Sequence, residues 1–261
     1  AFYILYANID GFDPTKHTLR KKGLPVMDKW ILSKMNTMIN GVDTNMAAYR
    51  IPEACSVLEE FVDDLSNWYV RRSRERFWKK GMEQDKIDAY MTLYTALYNT
   101  ILCAAPFIPF MTDAIYQNMV RSVDKTAKES IHLCDFPVYD ESRVDEKLEK
   151  SMDEVLSIVI LGRAARNASG LKNRQPIANM YVRSDKELDA FCKSIITDEL
   201  NVKNVEFRDD ISDFTAYTFK PQLKTVGPKY GKNLGFIRQK LSEIDGHAAM
   251  EELKKNEAIC F

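Results

Sequence analysis

Between Leu24 and about Val120, apolar residues recur every three or four positions, the period of helices buried on one side. Met27, Trp30, Ile31, Met35, Met38 and Ile39 make the first stripe, and Gly41 stands where it could close the helix. Pro52 suits the first turn of the next helix, where proline is tolerated. That helix carries Leu58, Phe61, Val62, Leu65 and Tyr69 on one face, and its pattern runs on to about Gly81. A third helix is expected from Asp85, a suitable N-cap, through Ile87, Met91, Tyr94, Leu97, Tyr98 and Ile101. Pro106 and Pro109 break it, and Thr112 is placed to cap a fourth.

The opening "AFYILYANIDGF" has strand character, and "SIHLCDFPVYDES" reads as an extended connector. From about Val144, the stripe of Leu148, Met152, Val155 and Val159 predicts a long helix ending near Ser169, and Pro176 stops any continuation. Beyond Pro176 the texture changes. "IANMYVRS" and "VKNVEFRDD" are strand-like around a helical "DKELDAFCKSIITDEL", and "FTAYTFK" alternates as a strand does. Lys232 to Ile244 and His247 to Lys255 read as helices, with "AICF" placed to start a further strand. The expected fold class is mainly α, a helical bundle followed by a small α+β module. The expected division is 1–23 as a leading segment, 24–175 as the bundle with its long C-terminal helix, and 176–261 as the module.

The length of 261 residues and the 45% apolar, 29% charged composition fit a folded globular chain of one or two domains. The longest apolar run, Ile101 to Met111, is too short for a membrane helix and contains two prolines. No membrane partner and a cytoplasmic location are therefore expected. Cys55, Cys103, Cys134, Cys192 and Cys260 are scattered without a CxxC pair, which points to reduced thiols rather than a disulfide frame or zinc site.

Charge changes the picture at one place. The chain carries 37 Lys+Arg against 38 Asp+Glu, yet "NWYVRRSRERFWKKG" contains a single acid. At about 100° per residue, Arg72 and Arg76 continue the core stripe, and the expectation for both is a buried stem paired to a carboxylate. Asn67, Arg71, Arg74 and Trp78 fall together on the opposite face. Guanidinium forks grip phosphate and Trp offers a base a flat π surface, so nucleic-acid contact is favoured over a solvated face or an acidic protein partner. Two more clusters lack intervening acids: Arg163, Arg166, Lys172 and Arg174, and the run Lys220, Lys224, Lys229, Lys232, Arg238 and Lys240. Segregated sign in a neutral chain suits a polyanion.

No catalytic constellation is visible. His17, His132 and His247 stand apart from any Cys or Asp pattern, and "GPKYGKNLG" lacks the Gly-Lys-Ser/Thr ending of a phosphate loop.

"LPVMDKWILSKMN", "NWYVRRSRERFW", "APFIPFMTDAIYQNM" and "SIHLCDFP", in that order, resemble the anticodon-binding region of class I aminoacyl-tRNA synthetases for aliphatic amino acids. "LGRAARNASGLKNRQPIANMYV" narrows the resemblance to the isoleucyl-tRNA synthetase family in its eukaryotic-like form, and "AFYILYANIDGFDP" resembles the stretch leaving its catalytic domain. The family's His-Ile-Gly-His and Lys-Met-Ser-Lys-Ser signatures are missing here, as are its editing domain and the cysteine zinc knob of its other bacterial form. The resemblance therefore implies a C-terminal fragment with the tRNA grip and none of the chemistry. It implies tRNA(Ile) as partner, a monomer, no cofactor in the fragment, and ATP and Mg for the whole enzyme. The tRNA contacts expected from the charged helix face and the first acid-free cluster are Asn67, Arg71, Arg74, Trp78, Arg163, Arg166, Lys172 and Arg174. A protein-interaction bundle for an acidic partner is the competing reading.

Overall fold

The computed structural model describes residues 1–184, 187–210 and 217–256. Its contacts fall into two compact units, Ala1–Glu154 and Val155–Phe261. The first is helical throughout and the second combines helices with a small parallel sheet, in agreement with the expected class.

In the first unit, α1 (Phe2–Asp10) is a helix where a strand was expected. A short run apolar on all sides has no readable period, and tertiary contact decides it. Tyr3 and Ala7, one turn apart, are buried, with the Tyr3 ring 6.2 Å from Tyr90 and 5.8 Å from Tyr94. Gly11 then closes the helix in the left-handed region at φ 62°.

Helix α2 (Val26–Ala47) runs straight through Gly41 instead of stopping there. A Cβ at Gly41 would lie 3.1 Å from Val57 Cγ1, so this glycine sets the close approach of α3 (Ile51–Asp63). The helix continues without a break through wider π turns at Asp64–Val70 into α4 (Arg71–Trp78). Ala54, Leu58, Phe61, Leu65, Tyr69, Ser73 and Phe77 are buried along it, while Val62 is exposed. The π turns carry more residues per turn, so beyond them the buried stripe lands on Ser73 and Phe77, one position later than a uniform α-helix gives.

Helix α5 (Gln84–Ala104) is entered from Glu83 with no side-chain cap, and Asp85 instead pairs with Arg76. Helix α6 (Pro109–Tyr116) starts on Pro109 itself. Thr112 is buried inside it and donates to Ile108 O and Pro109 O rather than capping. The connector beyond holds two short 3-10 turns, Ile131–Leu133 and Glu141–Arg143, before α7 (Glu146–Ala168).

In the second unit, β1 (Ile177–Arg183) and β2 (Val202–Arg208) pair in parallel, with Ile177 opposite Val202 and Arg183 opposite Arg208. The crossover is α8 (Ala190–Leu200), capped by Asp189 through a 2.7 Å bond from Cys192 N. Helices α9 (Leu223–Tyr230), α10 (Leu234–Glu243) and α11 (Gly246–Asn256) follow. "GPKYGKNLG" spans the end of α9, a 3-10 turn at Gly231–Asn233 and the start of α10. Of the expected strand "FTAYTFK", residues 214–216 lie outside the described residues and 217–220 are not in a strand. "AICF" also lies outside the described residues. Among the described residues, no helix is long and apolar enough to cross a membrane.

Candidate nucleic-acid interface

The charged helix α4 is anchored from within. Asp28, fully buried in the first turn of α2, accepts from Arg76 Nη1 at 2.6 Å and Nη2 at 2.8 Å, and from Tyr69 Oη at 2.8 Å. Arg76 Nη2 also donates to Asp85 O at 2.8 Å. Its Nε lies 2.9 Å from Asp85 Oδ1, an ionic contact without the alignment of a hydrogen bond. Burial pulls the Arg76 guanidinium down, but Asp28 outweighs it and the net shift is upward. Burial, then the Asp28 charge, pushes the Tyr69 hydroxyl well above its ordinary range. A bidentate pair with a third donor is what retains charge in a core. Of the two arginines expected on the core side, Arg76 is this buried ion pair and Arg72 is half-buried.

The outward row divides. Asn67 and Arg74 are exposed, and Trp78 is 57% exposed. Trp78 is also tied to the fold, because its Nε1 donates to Tyr6 Oη of α1 at 2.7 Å. Arg71 is half-buried: its Nε donates to Asn67 O at 2.7 Å and its guanidinium sits 5.4 Å from the Trp68 ring centre. Lys79 and Lys80 extend the exposed basic surface past the helix end.

The second basic cluster changes more. Arg166 is 4% exposed, and its guanidinium donates to the carbonyls of Leu200 at 3.0 Å, Lys172 and Gln175. With its fork spent on backbone acceptors it offers no phosphate grip, which corrects its place among the surface contacts. Asn201 holds the same loop, donating to the carbonyls of Asn173 at 3.2 Å and Arg174 at 3.1 Å. The loop so fixed carries Lys172 and Arg174 exposed. Arg163 is partly committed, 2.6 Å from the buried carboxylate of Glu199. In the third cluster Lys220, Lys224, Lys229, Lys232 and Arg238 are exposed, and Lys240 lies 3.5 Å from Glu243.

A profile described as "Anticodon-binding domain of tRNA ligase" matches residues 28–182. The chain belongs to this family. The matched range takes in the whole of α4 with its buried Asp28–Arg76 anchor, as well as α7 and the Arg166-centred loop. Similar sequences carry the name isoleucine–tRNA ligase. The Clostridium tetani protein is 46% identical over 259 residues, 99% of this chain and 25% of its own length. The Clostridium acetobutylicum protein is 47% identical over the same extent. The Deinococcus radiodurans protein is 40% identical over 252 residues, 95% of this chain and 23% of its own. The chain thus spans about a quarter of the length of the curated relatives it matches. No group of three or more His, Cys, Asp or Glu able to hold a metal occurs among the described residues.

Proposed function

We propose that the chain is the part of an isoleucine–tRNA ligase that grips the anticodon stem-loop of tRNA(Ile). The observation that carries this reading is the exposed basic and aromatic surface of α4, within a domain of the anticodon-binding family. Arg74, Lys79 and Lys80 meet the phosphate backbone as cations, and Trp78 presents its ring beside them. Lys172 and Arg174, held out by the loop wrapped on Arg166, form a second phosphate contact. Asn67 and Arg71 lie along the same α4 row, with Arg71 acting partly through the ring of Trp68 beneath it. Arg163 contributes through the part of its side chain that stays exposed beside the Glu199 pair, and Arg166 acts only by shaping its loop. In this reading isoleucine activation, with its ATP and Mg, belongs to the remainder of the ligase, which works as a cytoplasmic monomer.

Electrophoretic shift of unmodified tRNA(Ile) over a salt series tests the reading. Binding that weakens steeply with salt is expected, because each phosphate contact releases counterions. A transcript with a changed anticodon should bind less tightly. Binding absent at low salt, or insensitive to it, would overturn the reading in favour of an acidic protein partner.

A further inference from the structure

The starts of α2 and α5 are held together by Arg76, which bonds both Asp28 at the head of α2 and Asp85 at the head of α5. The two helices have 22 and 21 residues. Half-way along they still face each other across a cavity of about 600 Å³, walled by Met35 and Ile39 on one and Thr95 and Asn99 on the other. They are therefore parallel, and at roughly 1.5 Å per residue they end level with each other. The corners that follow, α2 to α3 and α5 to α6, lie at one end of the bundle, away from the Arg76 anchor.

Each corner presents an aromatic ring with almost no protein around it. Tyr49 is 90% and Phe110 91% exposed, the two most exposed aromatic rings among the described residues. Tyr49 also sits in the left-handed region at φ 56°. Its N–H bonds Met46 O at 3.0 Å, and Arg50 N bonds Asn45 O at 2.8 Å. That closing turn normally takes glycine or asparagine at the Tyr49 position, because a large side chain is strained there. The fold gains nothing from the ring that would offset the strain, since the ring packs on nothing. Strain kept without a packing return is a signature of a working position. Phe110 follows Pro109 in the first turn of α6, and Ile108 and Met111 beside it are 42% and 56% exposed, so the corner is apolar around the ring. Arg50, also exposed, adds a cation next to Tyr49.

We propose that this end of the bundle is a stacking platform for unpaired nucleotides, with the rings of Tyr49 and Phe110 as two base-sized surfaces and Arg50 as the adjoining phosphate contact. The proposal rests on the tRNA-binding reading above and adds to it a site apart from the α4 row. Two flat rings on rigid helix corners suit bases splayed from a loop, since stacking tolerates any base and needs no pocket.

The test uses tRNA(Ile) transcripts carrying 2-aminopurine at single anticodon-loop positions. Binding of the unaltered chain should change the fluorescence at one or two loop positions. Tyr49→Gly and Phe110→Ala should each abolish the change at one position and weaken affinity about fivefold or more, the scale of one stacked base, with the salt slope preserved. Tyr49→Gly should at the same time hold or raise the melting temperature, because glycine relieves the left-handed strain. Loss of affinity without loss of stability is the supporting result, and it separates the platform from a folding defect. If the unaltered chain binds tRNA and both variants bind as well as it does, the platform is overturned while the tRNA reading stands. If the unaltered chain fails to bind tRNA, both fall together.

Discussion

Arg74 and Arg76 stand two residues apart on α4 and have opposite surroundings. Arg76 reaches inward to a carboxylate with no exposure, shares it with Tyr69, and bridges the heads of α2 and α5. Arg74 points into solvent. Arg166 and Arg174 repeat the contrast in the second unit, one spent on backbone carbonyls and the other carried on the loop those bonds shape. In a basic segment the number of cations overstates the interface, because a share of them are structural parts that hold the others in place. Side chains of one type serve stability or recognition according to whether an acceptor is already built opposite them.

The comparison breaks first at Arg76. Arg76→Ala leaves Asp28 charged and buried without its partner, a loss of about 3–5 kcal/mol. Denaturant unfolding of the first unit should shift by that amount, and RNA binding should fall only as the folded fraction falls. A shift under about 1 kcal/mol would mean that water or another donor takes over at Asp28, and the division between anchor and contact would lose its basis.

Arg166→Met comes next. The methionine fills much of the volume but leaves the buried Leu200 carbonyl without its guanidinium donor and strips the side-chain bonds from the carbonyls of Lys172, which keeps its bond from Gln175 N, and Gln175. A buried acceptor left unsatisfied, as at Leu200, costs about 1–3 kcal/mol. The loop of residues 171–175 should also become a preferred site of limited proteolysis, and tRNA affinity should drop through Lys172 and Arg174 although Arg166 touches no RNA. If the loop stays resistant and affinity is unchanged, Arg166 does not organise it.

Much of the fold was legible because its cues are local. The stripes of α2, α3 and α5, the break at Pro109, and the switch to strand, helix, strand after Pro176 all follow from spacing and from Gly and Pro. What escaped depends on contacts far away in sequence. The opening helix is fixed by Tyr3 against Tyr90 and Tyr94, and Gly41 is a packing residue because Val57 lies over it. The π turns at Asp64–Val70 leave no periodic signature, so a uniform wheel misplaced the stripe beyond them. At the candidate site, the exposed places of Arg74 and Trp78 and the inward pairing of Arg76 could be read from the helix face. The burial of Arg166 could not, since its acceptors are carbonyls, which every residue has. Tyr49 left one faint trace, a large residue just before the "IPEA" helix start where a glycine or asparagine is usual.

Arg74 supplies the smallest effect on the fold and the sharpest comparison. Its guanidinium is exposed, so Arg74→Ala should move stability by less than about 0.5 kcal/mol. If the side chain meets one phosphate, the slope of log affinity against log salt should fall by roughly one unit. Arg74→Lys then distinguishes two kinds of contact. A lysine keeps the charge but loses the planar fork. A point-charge contact would leave slope and affinity near their original values, whereas a bidentate grip would keep the slope and lose affinity. Combined with Arg76→Ala, the Arg74→Ala effect on binding by the folded fraction should add to the stability loss without interaction, because the two guanidinium groups share no partner. A coupling of more than about 1 kcal/mol between them would mean that the anchor also sets the position of the contact, and that inner and outer arginines act as one device.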